Sequence, residues 1–487
     1  MVTCAWQAYR THSVSAARGD TVMESSSGAA PTWGFLTLTF LLAALPAALL
    51  QATTTLITQD IAAVPFLWMV PLALYLVTYI VAFDRPGACP RQPLAVLMLA
   101  GSLISLVTLP PLTSIALALT MLTAGGLALH GELARRAPAP RRLTQYYLVV
   151  AAGGVAGSAV VALGAPIAFT RIIEYPVTLA VALFVLAVVH WQSGADHRGR
   201  LHAEGLVLAG LIVVAATAAE SQFVSSQVTH ASRNFFGTVR VRDMTMADGS
   251  RYRRLIHGTT LHGLQFLDAP RRTLPTAYFT ASSGIGRAMR VVSERPGPAR
   301  VVVLGLGIGT LAAYGRDGDR FSFFEIDPDV VALSTGPDPV FTYVRDSAAA
   351  VDLAVGDGRL LLERRPPIGA DIVVADAFSS DAVPVHLLTR EAMALYVRHL
   401  RDRSGLVAVH ISNRYLALAD VVAAAGEANG LSAVLVQDPE VPGVVRATDW
   451  MILSRDPEAL RVFGAYYVAH DRPWTDAWSD PWGAFHW

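Results

Sequence analysis

The stretch Val301-Val302-Val303-Leu304-Gly305-Leu306-Gly307-Ile308-Gly309-Thr310 decides how this chain reads. Four apolar, mostly β-branched residues make a buried strand, and the glycines behind them mark a turn at its carboxyl end. Further strands follow at Phe321 to Ile326, Val351 to Val355, Asp371 to Ala375, Leu406 to His410 and Leu431 to Val436, with helical patterns between. Such β-α alternation predicts a doubly wound, Rossmann-like α/β sheet over 296–487. Just upstream, Phe236 to Val241 and Tyr252 to Ile256 alternate around Asp248-Gly249, which predicts a β-hairpin in a small β-rich unit, 221–295.

Further towards the amino terminus the chemistry changes. The 487 residues are only 16% charged, and the deficit is local. Residues 1–220 hold 11 Arg and 9 Asp/Glu, whereas 221–487 hold 27 Arg and 29 Asp/Glu. After a polar tail, 1–32, apolar runs near 33–52, 63–83, 92–109, 112–130, 145–168, 175–191 and 204–220 predict an all-α membrane domain of about seven spans. The run Gly153-Gly154-Val155-Ala156-Gly157-Ser158 suits close helix contacts in lipid. Arg85, Arg91, Arg135, Arg136, Arg141, Arg142, Arg198 and Arg200 fall in alternate loops, which the positive-inside rule makes cytoplasmic. An odd number of spans then puts the soluble half outside, an even number inside. Asp60, His130 and Glu132 read either as an intramembrane relay or as span ends in headgroups or water.

Composition removes several classes of function. All 38 basic residues are Arg, so Schiff-base lysine chemistry, a Walker-A loop and a kinase lysine are absent. Cys4 and Cys89 make neither a disulfide framework nor a Cys-rich metal site, and no metal is expected. Zero net charge argues against nucleic acid as a partner.

In a doubly wound sheet, ligands bind at the carboxyl ends of the strands. Gly305, Gly307 and Gly309 follow the first strand, Glu325 ends the second, Asp357-Gly358 follows the third and Asp376 the fourth. Glu325 sits where a carboxylate accepts from ribose hydroxyls, and Asp357 where one accepts from an adenine amino group. The turn is G-x-G-x-G and lacks the later glycine of the dinucleotide fingerprint. An adenosyl-sulfonium ligand therefore fits better than NAD.

These motifs, with Phe324-Glu325-Ile326-Asp327-Pro328 and Asp376-Ala377-Phe378-Ser379-Ser380-Asp381, resemble the spermidine synthases, or polyamine aminopropyltransferases. Nearly all of 33–487 is similar to bacterial membrane-fused spermidine-synthase-like proteins, whose membrane part is compared with half a major-facilitator transporter. The resemblance includes His130-Gly131-Glu132, His257-Gly258-Thr259-Thr260, His410-Ile411-Ser412-Asn413-Arg414-Tyr415 and Trp474-Thr475-Asp476. It implies a multi-pass protein of the bacterial inner membrane. The implied reaction is attack by an amine such as putrescine on the aminopropyl carbon of decarboxylated S-adenosylmethionine. Carried over by position, Asp376 is the catalytic base and Asp381 a diamine-binding acid, with Tyr278 near the family's gating tyrosine. Glu325 would hold ribose, Asp357 and Gly358 the adenine end, and the glycine loop the sulfonium. His410 and Asn413, just past the fifth strand, read as substrate contacts or a base, or else as a polar strand end.

Departures from the pattern bear on substrate. Ile308 stands where the soluble enzymes usually carry Asp, the second acid of Asp376–Asp381 is displaced by two residues, and Tyr278-Phe279-Thr280-Ala281 has no acid. Two lost carboxylates cost a polycation several kcal/mol, at about 1.5–3 kcal/mol per charged hydrogen bond. Three functions thus stay open. They are aminopropyl transfer, methyl transfer from S-adenosylmethionine, and a non-catalytic transporter or sensor binding polyamine or nucleoside. Seven spans read as an anchor, a half-unit that forms a homodimer, or a partial conduit. The tail, with Trp474, Trp478, Trp482 and Trp487, reads as a flap packed on the catalytic domain or as an interfacial anchor.

Overall fold

The computed structural model describes residues 32–60, 65–193, 197–258, 260–377, 384–413, 417–438 and 447–467. Asp381, Arg414, Tyr415 and the Trp-rich tail lie outside these residues, as does the polar segment 1–31.

Seven helices form where seven spans are expected. They are α1 (Trp33–Asp60), α2 (Pro65–Asp84), α3 (Arg91–Ile104), α4 (Pro111–Arg135), α5 (Leu143–Ala159), α6 (Glu174–Gln192) and α7 (His197–Ser226). A π-helical turn, Val160–Gly164, carries α5 on into Ala165–Ala168. Among the described residues, five of the seven are long and apolar enough to cross a membrane. The 14 residues of α3 rise only about 21 Å, short of a hydrocarbon core of roughly 30 Å. That helix stops at Ile104, well before the expected Pro110-Pro111 break, and Pro111 opens α4.

Small residues set the spacing of these helices. Gly153 abuts Phe40 and Ala43, and Gly157 abuts Ala44, so α1 and α5 run parallel in close contact. A methyl group on Gly157 would collide with the Ala44 backbone. Gly210 packs on Phe184, and an Arg171–Glu220 ion pair of 2.9 Å joins the segment before α6 to the last turns of α7. The helices therefore alternate in direction. Glu132, with Arg91, Arg135 and Arg136 around it, marks one end of the bundle, and the soluble half leaves from the other. His130 and Glu132 are each only 1% exposed, so protein rather than open water surrounds them, and Glu132 lies at a bundle end as a span-end position would. His130 bonds Thr78 at 3.1 Å and stands edge-on to Tyr75 and Tyr79. The side chain of Asp60 lies outside the described residues.

Beyond α7 comes an antiparallel sheet of four strands: β1 (His230–Asn234), β2 (Gly237–Thr245), β3 (Arg251–His257) and β4 (Thr260–Phe266). The β2–β3 hairpin turns at Asp248-Gly249, with Gly249 at φ 82°, where only glycine is unstrained. Helix α8 (Gly284–Ser293) then leads into the larger sheet.

That sheet has seven strands in the order β7-β6-β5-β8-β9-β11-β10. They are β5 (Arg300–Leu304), β6 (Arg320–Glu325), β7 (Ala350–Val355), β8 (Ile372–Ala375), β9 (Leu406–His410), β10 (Ser432–Asp438) and β11 (Thr448–Ser454). All neighbours are parallel except β11, which runs antiparallel to both β9 and β10. This order, parallel but for a single reversed strand near one edge, makes a doubly wound, Rossmann-like sheet. Val301 and Val303 enter one apolar cluster while Val302 and Leu304 enter another, so both faces of β5 are covered. That double burial is why the strand reads as an unbroken apolar run.

Candidate functional site

Strand order reverses at β5, which has β6 on one side and β8 on the other; such a switch point opens a crevice at the strands' carboxyl ends. A cavity occupies it, lined by Gly305, Gly307, Glu325, Asp357, Gly358 and Asp376. Six of the residues singled out from the sequence are thereby brought together. Gly309 stands behind them as the N-cap of the following turn, in the left-handed region at φ 77°. Gly305 carries the tightest constraint. At φ 97°, any Cβ on it would strike the backbone carbonyl of Asp376. Its amide donates to Phe324 O at 2.8 Å, and the amide of Asp376 donates to Leu304 O at 2.9 Å. The loops after β5 and β8 are thus locked side by side.

Glu325 is 9% exposed and shapes the glycine turn. Its Oε2 accepts from Leu306 N and its Oε1 from Asp327 N, both at 2.9 Å. Each oxygen keeps a second lone pair for a ribose hydroxyl. Burial pushes its carboxyl above the usual range, against the pull of those amides. Asp357 caps helix α10 (Gly358–Glu363) by accepting from Leu360 N at 2.9 Å. Its Oδ2 meets His386 Nε2 at 2.9 Å, and that bond holds its carboxyl below the usual range. An adenine amino group at this position would share or displace His386.

Asp376 and His410 form the chemical centre. Asp376 Oδ1 lies 2.7 Å from His410 Nδ1, and His410 Nε2 lies 2.8 Å from Ser412 Oγ. The imidazole is stacked between Tyr278 and Trp450, with both centroid separations 4.7 Å. Held on both faces and at both nitrogens, the ring is fixed. The network assigns the Nδ1 proton towards Asp376, with Ser412 donating to Nε2. Asp376 Oδ2 accepts no hydrogen bond among the described residues, and Asp376 is one of the residues that line the cavity. Asp376 can therefore take a proton at Oδ2 and become a neutral carboxyl, while the bond from His410 Nδ1 to Oδ1 holds the group in place.

Tyr278 is only 7% exposed, and its hydroxyl donates to His262 O at 3.3 Å. Burial and the neighbouring Asp376 push its phenol well above the ordinary value. Here it walls the cavity and stacks on His410. Asn413 follows Ser412 beyond β9, outside the cavity lining. Ile308 is 1% exposed and packs on Gly263 of β4, filling the place beside the glycine loop with hydrocarbon.

Other lining residues were given no individual role by the sequence. His257 and His262, from β3 and β4, have ring centroids 5.6 Å apart, and each leaves Nε2 buried without a partner. Burial lowers both, His262 to about 3, so both imidazoles are neutral. Asp327 is 1% exposed; it caps helix α9 (Pro328–Ser334), accepts from Asn234 Nδ2 at 2.6 Å, and leaves Oδ2 buried without a partner. Asn234 links this site to the membrane half. Its neighbour Arg233 grips Glu174, at the start of α6, at 2.7 and 3.1 Å.

No family model and no curated protein matches the sequence. Among solved structures, the chain is similar to the spermidine synthase of Thermotoga maritima, with 15% identity, 50% of this chain and 81% of that one covered, and a TM-score of 0.35. A probable spermidine synthase of Corynebacterium glutamicum gives 16% identity, coverage of 47% and 80%, and a TM-score of 0.35. An amino pentose methyltransferase of Micromonospora echinaspora gives 16%, coverage of 35% and 89%, and 0.25. At such identities and scores, the fold assignment stands on the strand order described above.

Proposed function

We propose that the chain is a membrane-anchored transferase that binds an adenosyl-sulfonium donor in the crevice between β5 and β8. Its reaction is transfer of the aminopropyl group of decarboxylated S-adenosylmethionine to an amine acceptor of the putrescine class. The observation that carries this reading is the Asp376–His410 pair of 2.7 Å at the rim of the crevice that holds the glycine loop and Glu325. Amine attack on the carbon next to sulfur forms a C–N bond, breaks the C–S bond and releases methylthioadenosine. The ammonium so formed gives its proton to Asp376. Asp381, outside the described residues, is the diamine-binding acid in this proposal.

The test is calorimetric titration of the purified full chain with decarboxylated S-adenosylmethionine, S-adenosylmethionine and methylthioadenosine. Preference for the decarboxylated donor and its thioether product is expected. Preference for intact S-adenosylmethionine would replace aminopropyl by methyl transfer. Binding of none of the three would overturn both. A non-catalytic binder of polyamine or nucleoside is the remaining reading. It is favoured by the exit of the soluble half at the end of the bundle opposite Glu132 and its arginines.

A further inference from the structure

The outer face of the four-stranded sheet carries charge that the described residues of the chain do not neutralise. Along β3, Leu255 and His257 point to the protein interior, so Arg254 and Ile256 point the other way. Arg242 of β2 is paired directly opposite Arg254, and Arg240 lies two residues along on the same face. Arg171, from the segment before α6, joins them. Like charges directly opposed on a sheet are destabilising, and here three strand arginines and a loop arginine meet one carboxylate, Glu220. The guanidinium groups are also short of partners. Arg240 donates to Gly258 O at 2.7 Å and Arg171 to Glu220, yet Arg171 Nη1 and the Nε atoms of Arg240, Arg242 and Arg254 are buried with no partner among the described residues. Burial and mutual repulsion lower the basicity of Arg240 and Arg242.

The position is as informative as the charge. Arg233 on β1 reaches Glu174 at the start of α6 and the Arg171 carbonyl, and Glu220 belongs to the last turns of α7. The arginine face therefore looks at the end of the helical bundle, where the headgroups of one leaflet would lie. Guanidinium forks match the oxygens of a phosphate, and a phosphate diester supplies acceptors without needing a proton.

We propose that Arg171, Arg240, Arg242 and Arg254 form a phosphate-binding site that takes the headgroup of an anionic phospholipid from the adjoining leaflet. The ligand sits behind the strand whose other face bears Leu255 and His257, both of which line the crevice. This site does not depend on the donor assignment, so either can fail alone.

The full chain, purified in detergent, is titrated with dioleoylphosphatidylglycerol, dioleoylphosphatidylcholine and inorganic phosphate, and retained lipid is counted by native mass spectrometry. Phosphatidylglycerol is expected to bind preferentially, and Arg242→Gln with Arg254→Gln to weaken it by about tenfold or more. Without lipid, the same variant is expected to melt no lower than the parent, since it relieves repulsion; a merely structural role would lower it. Equal retention of both lipids, unaffected by the substitutions, would overturn the proposal. Full displacement of phosphatidylglycerol by millimolar inorganic phosphate would overturn the lipid as occupant and leave a soluble phosphate. A single Arg242→Gln variant serves if the double one fails to fold, because Arg242 makes no hydrogen bond among the described residues that its loss would break.

Discussion

Asp376 Oδ1 and His410 Nδ1 face each other at 2.7 Å across the carboxyl ends of β8 and β9, strands that pair in parallel from Ile372 with Leu406 to Ala375 with Val409. Sheet register thus sets the dyad, and Tyr278 and Trp450 hold its ring from either side. Asp376→Asn keeps the shape and removes the proton acceptor. Turnover is expected to fall about 10²–10⁴-fold, while methylthioadenosine affinity changes little. Product formation by the purified variant, read against its calorimetric binding, checks this; undiminished turnover sinks Asp376 as base.

His410→Gln should cost turnover less than Asp376→Asn, because the imidazole acts through the carboxylate. The loss of a ring stacked at 4.7 Å between two aromatics also lowers the melting temperature. A pH–rate profile separates the roles. The acidic limb, set by the general base, should move in the variant if His410 tunes Asp376, and stay in place if the ring only packs.

Glu325→Gln tests the glycine turn. A glutamine keeps one acceptor oxygen and turns an NH2 group towards a backbone N–H, Leu306 or Asp327, that the carboxylate now satisfies. Leaving such a donor unmet costs about 1–3 kcal/mol. Lower thermal stability and weaker methylthioadenosine binding are expected together, by melting and calorimetry.

Acid should destabilise the small sheet against the crevice. His262 has its folded-state pKa lowered to about 3, against about 6.5 in the unfolded chain. The unfolded chain therefore binds the extra proton first. Stability is complete above about pH 6.5 and is lost progressively as pH falls towards 3. Melting temperatures measured from pH 7 to 5 should decline, and His262→Asn should flatten the decline.

The junction between the halves rests on Arg233 and Glu174, whose side chains are 6% and 3% exposed. Glu174→Gln leaves a buried guanidinium without its counter-charge, a change worth about 3–5 kcal/mol. Because the next residue, Asn234, bonds Asp327 in the crevice wall, nucleoside affinity should fall along with stability. Calorimetry on the variant decides whether the membrane half and the crevice are coupled.

Legibility in the sequence followed burial. The run Val301 to Leu304 announced itself because both faces of β5 are covered, and the helices because lipid demands unbroken apolar stretches. Strand β11 did not, since Thr448-Asp449-Trp450 interrupts its apolar pattern, although Trp450 proves fully buried. The flanking strands β1 and β4 were silent as well, being short and polar on one face. Within the site, the strand-end carboxylates were readable one by one. Partners such as His386 and Asn234 were not, because they come from segments remote in sequence. The arginine face was invisible for a further reason: cross-strand register, not spacing along the chain, brings Arg242 opposite Arg254.

If all seven helices cross the membrane, their alternation decides which solution the crevice samples. If the loops around Arg91, Arg135, Arg136 and Arg142 are held in the cytoplasm by their charge, the crevice opens into the compartment beyond it, and its ligand must be exported or scavenged rather than drawn from the cell's own adenosyl pool. An alkaline phosphatase fused after Trp487 should then be active, and a green fluorescent protein there dark. The reverse pattern would place the crevice beside the cell's biosynthetic enzymes, where removal of a single helix would cut it off from its supply.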